Sequence, residues 1–176
     1  MKVFIILGLI FAIASCENTS FIEEYFMNYP ELYNKTLVLP DKISTQLTFH
    51  SGPKSIKVNI YASFDGTCGS CYEDINKLIS YISKDRKKEH IRLFLIASKT
   101  ASLNRDLITN HDSINLIIYP DISSEFIYMN KLENFPYGWF ICDSNNKIGI
   151  IGNPYGNRLL WKYYRGIFRY LKNPIK

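Results

Sequence analysis

The 176-residue chain is poor in cysteine and histidine, with four of one and three of the other. Four cysteines are too few to staple a small disulfide-dependent fold, so each has to be placed singly. Glycine and proline contribute only 9 and 7 residues, which excludes collagen-like or linker-dominated chains. There is no internal repeat, no low-complexity tract and no apolar run of the roughly 20 residues a membrane-crossing helix needs. His50, His90 and His111 are scattered and no second close cysteine pair exists, so the four ligands of a structural zinc site are not assembled. What the chain does have is apolar material: 47% hydrophobic, 15% aromatic and 21% charged. That suffices for one packed domain and is too much for disorder. A formal charge of +5 identifies no partner by itself.

The first sixteen residues are a different kind of sequence from the rest. Met1-Lys2 supplies a positive start, Val3 to Ala14 is apolar and uncharged, and Ile13-Ala14-Ser15-Cys16 closes the stretch. A positive start, a short apolar core and small residues at a cut site have the layout of a signal peptide. The cysteine after the small residues resembles a bacterial lipobox. The resemblance implies diacylglycerol on the Cys16 sulfur, cleavage before Cys16 and acylation of the new amino terminus, with palmitate-type chains. The plainer alternatives are an ordinary secretory signal with a chance cysteine, or a buried first helix. Residues 1–15 are therefore expected to be a lipoprotein signal peptide, 16–35 a tether and N-terminal arm, and 36–176 the folded domain. Cleavage leaves 161 residues and a charge of +4, and two or three acyl chains hold such a domain stably on a membrane. Export brings it to a compartment where disulfides persist.

Along the domain, Thr36 to Leu39 and Gln46 to His50 suggest edge strands separated by the Pro40-Asp41 turn. Ile56, Val58, Ile60, Ala62 and Phe64 alternate with polar or small residues, the period of a strand. After Asp65-Gly66-Thr67 the period changes. Ile75, Leu78, Ile79 and Ile82 follow the spacing of a helix buried on one side, with Thr67 a candidate N-cap and Lys84, Arg86, Lys87 and Lys88 at the far end. Ile91 to Ala97 is almost continuously apolar, as in a strand covered on both faces. Together these make a strand-helix-strand unit, most simply a right-handed parallel crossover. Leu103 and Leu107 suggest a short helix, Ile114 to Tyr119 a strand, and Ile122, Phe126 and Met129 a helix opened by Pro120-Asp121. Trp139 to Cys142 and Ile148 to Ile151, joined by Asp143 to Lys147, predict a β-hairpin. Gly152-Asn153-Pro154 ends the second strand, and Leu159 to Leu171 form a last helix. The order predicts an α/β fold around a mixed central sheet.

Cys68-Gly69-Ser70-Cys71 is the constellation with specific spacing. At the start of a helix the first cysteine sits among unpaired backbone N–H groups, which favour its thiolate and make Cys68 the attacking sulfur. Cys71, one turn inward, is placed to resolve a mixed disulfide. A strand, a turn, Cys-x-x-Cys at a helix N-terminus, a buried strand and a proline before a hairpin resemble the thioredoxin fold. With the lipid signal and an inserted strand and helix before the C-terminal hairpin, the chain is similar to the membrane-anchored thioredoxin-like reductases of bacterial envelopes. The resemblance spans about residues 36–171. It rests on Thr67-Cys-Gly-Ser-Cys71, Pro120-Asp121, Phe135-Pro136 and Phe140-Ile-Cys-Asp143.

That resemblance implies a Cys68–Cys71 redox disulfide, a cis-proline beside the sulfurs for which Pro136 is the candidate, and a proton-relaying acid at Asp74. It further implies protein disulfide or dithiol substrates, a membrane electron donor or acceptor with its own thiol pair, no metal or organic cofactor, and no nucleic-acid partner. The chain departs from the family in lacking tryptophan before the first cysteine, where it has Phe64-Asp65-Gly66-Thr67. It also lacks the threonine and proline pattern of peroxide-reducing relatives. Asp65 near Cys68 opposes the dipole's effect on the thiol, and Asp74 can equally be a first-turn acid that complements the dipole. Two functions therefore stand: an envelope thiol-disulfide oxidoreductase, or a thioredoxin-fold lipoprotein that binds or scaffolds with an idle disulfide. Cys142, inside an apolar strand, reads as a buried small hydrophobe. In the last helix, Arg158, Lys162, Arg165, Arg169 and Lys172 recur on one stripe, with Leu159, Tyr163, Ile167, Tyr170 and Leu171 on the other side. The stripe is either an ordinary solvated face or a contact for anionic lipid or an acidic partner.

Overall fold

The computed structural model describes residues 31–32, 35–41, 56–85, 88–98, 108, 114–135, 138–155 and 157–172, with side chains in the last helix described through Gly166. The signal, the tether to residue 30 and Cys16 lie outside the described residues. So do the expected strand Gln46–His50 and the expected helix at Leu103 and Leu107.

Five strands form one sheet: β1 (Val58–Asp65), β2 (Ile91–Ser98), β3 (Asn115–Asp121), β4 (Trp139–Asp143) and β5 (Ile148–Ile151). Their spatial order is β3-β2-β1-β4-β5. β1 pairs in parallel with β2, and β2 with β3, while β4 runs antiparallel to both β1 and β5. The helices are α1 (Gly69–Ser83), the short α2 (Glu125–Met129) and α3 (Arg158–Lys172). This is a mixed α/β arrangement, a parallel β3-β2-β1 unit extended by an antiparallel hairpin. The strand and helix expected before the hairpin are β3, which takes the outer parallel position, and α2.

The alternation of β1 explains why a core forms on each side of the sheet. Val58, Ile60, Ala62 and Phe64 face one core, which α1 covers with Tyr72, Ile75, Leu78, Ile79 and Ile82 and α3 with Leu160 and Tyr164. Tyr61 points the other way, into a cluster with Phe94, Phe126, Phe140 and Cys142. β2 serves both sides, as its unbroken apolar run predicts: Leu93, Leu95 and Ala97 join the first core, Phe94 and Ile96 the second. Tyr61 stacks on Phe94 at 4.6 Å between ring centroids, and its hydroxyl donates to Asn146 Oδ1 at 2.6 Å. Asn59 Nδ2 donates to the same oxygen at 2.7 Å. Asn146 serves both donors from a hairpin turn with φ of 64°, a left-handed conformation that asparagine tolerates better than most residues.

A five-residue helix such as α2 has no stability of its own. Phe126, fully buried, anchors it, and burying a phenylalanine side chain contributes about 2–3 kcal/mol. Pro120 and Asp121 do not open this helix, as the turn pair suggested; both belong to β3. Asp121 nevertheless caps α2 from a distance. Its two carboxylate oxygens accept from the backbone N–H groups of Glu125 at 2.7 Å and Phe126 at 3.2 Å, while Ser124, at the nominal cap position, is left-handed and makes no side-chain cap.

Burial pushes the Asp121 carboxyl above its ordinary value of 3.8. Because the folded state then holds the proton more tightly than the unfolded chain, this group's contribution to stability is fully present below the unfolded value and is lost as pH rises through the raised one. Asp121→Asn should remove that acid-range slope, and Asp121→Ala should cost about 1–2 kcal/mol through loss of the cap. Thermal melts of both variants from acid to neutral pH check the expectation.

Thr36 to Leu39 do not form a strand. Leu37 N–H donates to Asn146 O and Ile148 N–H to Lys35 O, both at 2.9 Å, giving one isolated bridge between Thr36 and Lys147. The ladder stops there because the buried Asn130 side chain takes both backbone groups of Val38, at 2.8 Å each. In α3 the inward face is Leu160 and Tyr164, one residue on from Leu159 and Tyr163. Tyr163 still packs against the core from its margin. Asn157 sets this phase by capping the helix, its Oδ1 accepting from Leu159 and Leu160 N–H at 3.1 and 3.0 Å.

Candidate functional site

The end of β1 delivers the chain into a turn held by several independent contacts. Asp65 Oδ1 accepts from Thr67 N–H at 3.0 Å and from its hydroxyl at 2.7 Å, and Cys68 N–H donates to Asp65 O at 2.9 Å. Gly66 N–H reaches across to Ser98 O at 3.0 Å, and Ser98 Oγ returns to Phe64 O at 3.2 Å. From within α1, the Tyr72 hydroxyl donates to Gly66 O at 2.9 Å, and its ring meets Phe64 edge-on at 5.4 Å. The turn is thus tied to β2 and to the helix it feeds.

Thr67 is not the N-cap of α1: its hydroxyl donates to Asp65 within the turn, and the helix begins one residue later than expected, at Gly69. Cys68 is the cap, and its Sγ accepts from Cys71 N–H at 3.3 Å. The Ser70 hydroxyl lies 3.4 Å from the same sulfur. Cys68 and Cys71 are joined by a disulfide with Cα atoms 5.4 Å apart. The two cysteines are unequally placed. Cys68 leads two exposed residues, Gly69 and Ser70, whereas Cys71 packs against the apolar core beneath α1. One sulfur is at the approachable tip and the other one turn inward.

Asp74 stands one turn beyond Cys71 on the same side of α1, where residues three apart are neighbours. Its carboxylate makes two contacts: Lys77 Nζ at 3.2 Å and Asn153 Nδ2 at 3.0 Å. Asn153, which from sequence only ended a strand, therefore links α1 to the loop after β5. Tyr155 in that loop lies under Lys77 Nζ, 5.6 Å from the ring centroid, and burial followed by the Asp74 charge raises its phenol.

Pro136 lies outside the described residues. The chain resumes at Gly138, whose carbonyl accepts from Ser63 N–H at 2.6 Å, two residues before the end of β1. Gly138 is thereby brought to the sheet end that carries the cysteines. Cys142 is free and buried, with burial and the Asp143 charge pushing its thiol well up. It sits in the core opposite the one Cys71 touches, so the sheet separates it from the disulfide. Among the described residues no group of three or more His, Cys, Asp or Glu side chains is placed to hold a metal ion, and no helix is long and apolar enough to cross a membrane.

Sequence would not have singled out Gly138, Tyr72 or Asn153. Their roles depend on what packs against them, although the position of Gly138 just before an apolar hairpin strand is a signal for close backbone approach. No protein-family model and no curated protein matches the chain. In fold it is similar to the thioredoxin domain of a thiol-disulfide oxidoreductase from Bacteroides vulgatus, at 13% sequence identity and a TM-score of 0.41, over 60% of this chain and 79% of that one.

Proposed function

We propose that the protein is a thiol-disulfide oxidoreductase of the bacterial cell envelope, held at a membrane by acylated Cys16 and exchanging disulfides with exported proteins through Cys68 and Cys71. The observation that carries this reading is the position of Cys68 as the N-cap of α1. Its sulfur accepts a backbone N–H at the positive end of a 15-residue helix. The same donor and the same dipole stabilise a thiolate when the pair is reduced.

In the reducing direction, the Cys68 thiolate attacks one sulfur of a substrate disulfide. The substrate S–S bond breaks, and the displaced thiolate takes a proton from solvent. The mixed disulfide is then attacked by the Cys71 sulfur, deprotonated as it moves. The bond to the substrate breaks, the second substrate thiol leaves with a proton, and the Cys68–Cys71 disulfide forms. Two electrons and two protons have passed to the substrate, and another dithiol, such as a membrane electron donor with its own pair, must return them. Asp74, one turn from Cys71, is suited to take the proton from that thiol, and Pro136 to line the approach of an extended substrate.

Insulin reduction by the full chain in the presence of dithiothreitol tests the activity. A rate above the dithiothreitol background, abolished in Cys68→Ser, supports the reading, and a background rate with the wild-type chain overturns it in favour of an idle disulfide. The anchor has its own outcome: Cys16→Ser should release most of the domain from the membrane fraction of expressing cells. Unchanged retention would sink the lipoprotein assignment and leave the redox chemistry standing.

A further inference from the structure

The basic stripe of α3 plays no part in the redox site, and its setting is unlike that of an ordinary solvated helix. After Asp143 the chain carries seven Lys or Arg residues and no Asp or Glu, while the other fourteen of its 21 cations share the first 143 residues with all 16 acids. The formal charge of +5 is therefore +7 on the last 33 residues and −2 on the remainder.

At the start of α3 the placement of these charges works against the helix. Arg158 is its first residue and no acid occupies the first turn, although the positive end of the dipole favours acids. Arg158 and Lys162 are four apart and Lys162 and Arg165 three apart, the spacings at which like charges repel along a helix. A solvated face gains more from mixed signs than from this row. The row's direction is fixed by what lies opposite. Leu160 and Tyr164 are buried at 6% and 0% exposure, and the Tyr164 hydroxyl donates to Gly152 O at 3.0 Å. Arg158 and Lys162 are exposed and Arg165 partly so, and none of the three is in an ion pair among the described residues.

We propose that α3 lays this face on the anionic headgroups of a lipid bilayer and so orients the domain on the membrane surface. A 15-residue helix is a straight rod of about 22 Å, and a single row of cations along it matches a flat, evenly charged plane. Trp161, Tyr163 and Tyr164 turn towards the core, so the face offers no described ring for stacking bases. The proposal holds whether or not the disulfide is active. With Cys16 acylated, the helix would add orientation to an existing tether.

Sedimentation of the full chain with vesicles of phosphatidylcholine, with and without phosphatidylglycerol, tests this against the triple variant Arg158→Gln, Lys162→Gln, Arg165→Gln. Each cation near an anionic surface is worth about 1 kcal/mol, so three should strengthen binding to the phosphatidylglycerol vesicles about a hundredfold at about 1.4 kcal/mol per decade. The advantage should vanish on pure phosphatidylcholine, where any binding through the apolar leader is common to both chains. It should also fall away between ~0.05 M and ~0.5 M salt. The exchange variant Arg158→Lys, Lys162→Arg, Arg165→Lys should bind like wild type, and far-UV circular dichroism should show all three chains folded. If the glutamine variant does not fold, the salt and lipid dependence of the wild-type and exchange chains carry the test alone. Equal wild-type binding to both vesicle types overturns the proposal. Retention on a polyglutamate column without preference for anionic vesicles also overturns it, in favour of an acidic polypeptide.

Discussion

Cys71→Ser is expected to arrest disulfide exchange at the mixed disulfide, so that covalent adducts of partner proteins accumulate on Cys68 and disappear on adding reductant. The reciprocal variant, Cys68→Ser, should show neither adducts nor turnover. Cys68 Sγ sits at the helix N-terminus with the Cys71 N–H directed at it and two exposed residues following it, so a substrate sulfur can reach it. Cys71 lies one turn inward, packed against the apolar core and bonded to the Cys68 sulfur. Serine in its place keeps the size of the side chain and removes the nucleophile that would release the partner. Non-reducing gels of cells expressing each variant read the outcome. Adducts on Cys71 in the Cys68→Ser chain would reverse the assignment of attacking and resolving sulfurs.

Gly138→Ala should be strongly damaging for so small a change. A Cβ at 138 would fall under 3.0 Å from the backbone carbonyl oxygen of Ser63, a contact that no rotation of a side chain relieves. Ser63 N–H is bonded to Gly138 O at 2.6 Å, so relief requires moving β1 and the start of β4 apart. Overpacking of this kind costs about 1–3 kcal/mol and occasionally more, a large share of the stability of a typical domain. Chemical denaturation of the variant should show the free energy of unfolding reduced by that amount, with a correspondingly lower midpoint. Because the strain lies two residues from the end of β1, exchange activity should fall with it. Gly69→Ala makes the contrast: a Cβ there meets nothing within 4 Å, and its effect on stability should stay within about 0.5 kcal/mol.

The features that were legible in the sequence share a property: each is set by a period or a pair that its own segment contains. The alternation of Ile56 to Phe64 and the helical spacing of Ile75 to Ile82 announce β1 and α1, and the burial of Val58, Ile60, Ala62, Ile75 and Leu78 follows. The unbroken run at Ile91 to Ala97 gives a strand with a core on either side for the same reason. Where a distant group decides, local pattern misleads. Thr67 is a good cap by type, but it belongs to a turn in which it donates to the Asp65 carboxylate, and the helix starts one residue later with Cys68 as its cap. Thr36 to Leu39 has the composition of a strand, yet the side chain of Asn130, 92 positions away from Val38, occupies the groups a ladder would need. The phase of α3 shifts by one residue because the Asn157 cap and the buried Tyr164 hydroxyl fix its rotation, and an aromatic-rich helix offers more than one plausible apolar stripe. At the site, Cys-x-x-Cys and its helix were readable from spacing. The Tyr72 and Ser98 contacts that hold the turn, and the Asn153 link to Asp74, come from residues brought together by the sheet and were not.

The account depends most on the Cys68–Cys71 pair being a redox couple, and a titration of the folded chain measures this directly. The protein is equilibrated across a series of dithiol buffers, quenched with a thiol-alkylating reagent and weighed for the number of labels. A redox couple should gain two labels in one step at a potential between about −120 and −270 mV, the span of thioredoxin-like exchange proteins. The same step should be missing in Cys68→Ser and Cys71→Ser, which carry no disulfide to reduce. A pair that remains unlabelled until the buffers fall well below about −300 mV, where structural disulfides lie, would contradict the account and make the protein a thioredoxin-fold scaffold.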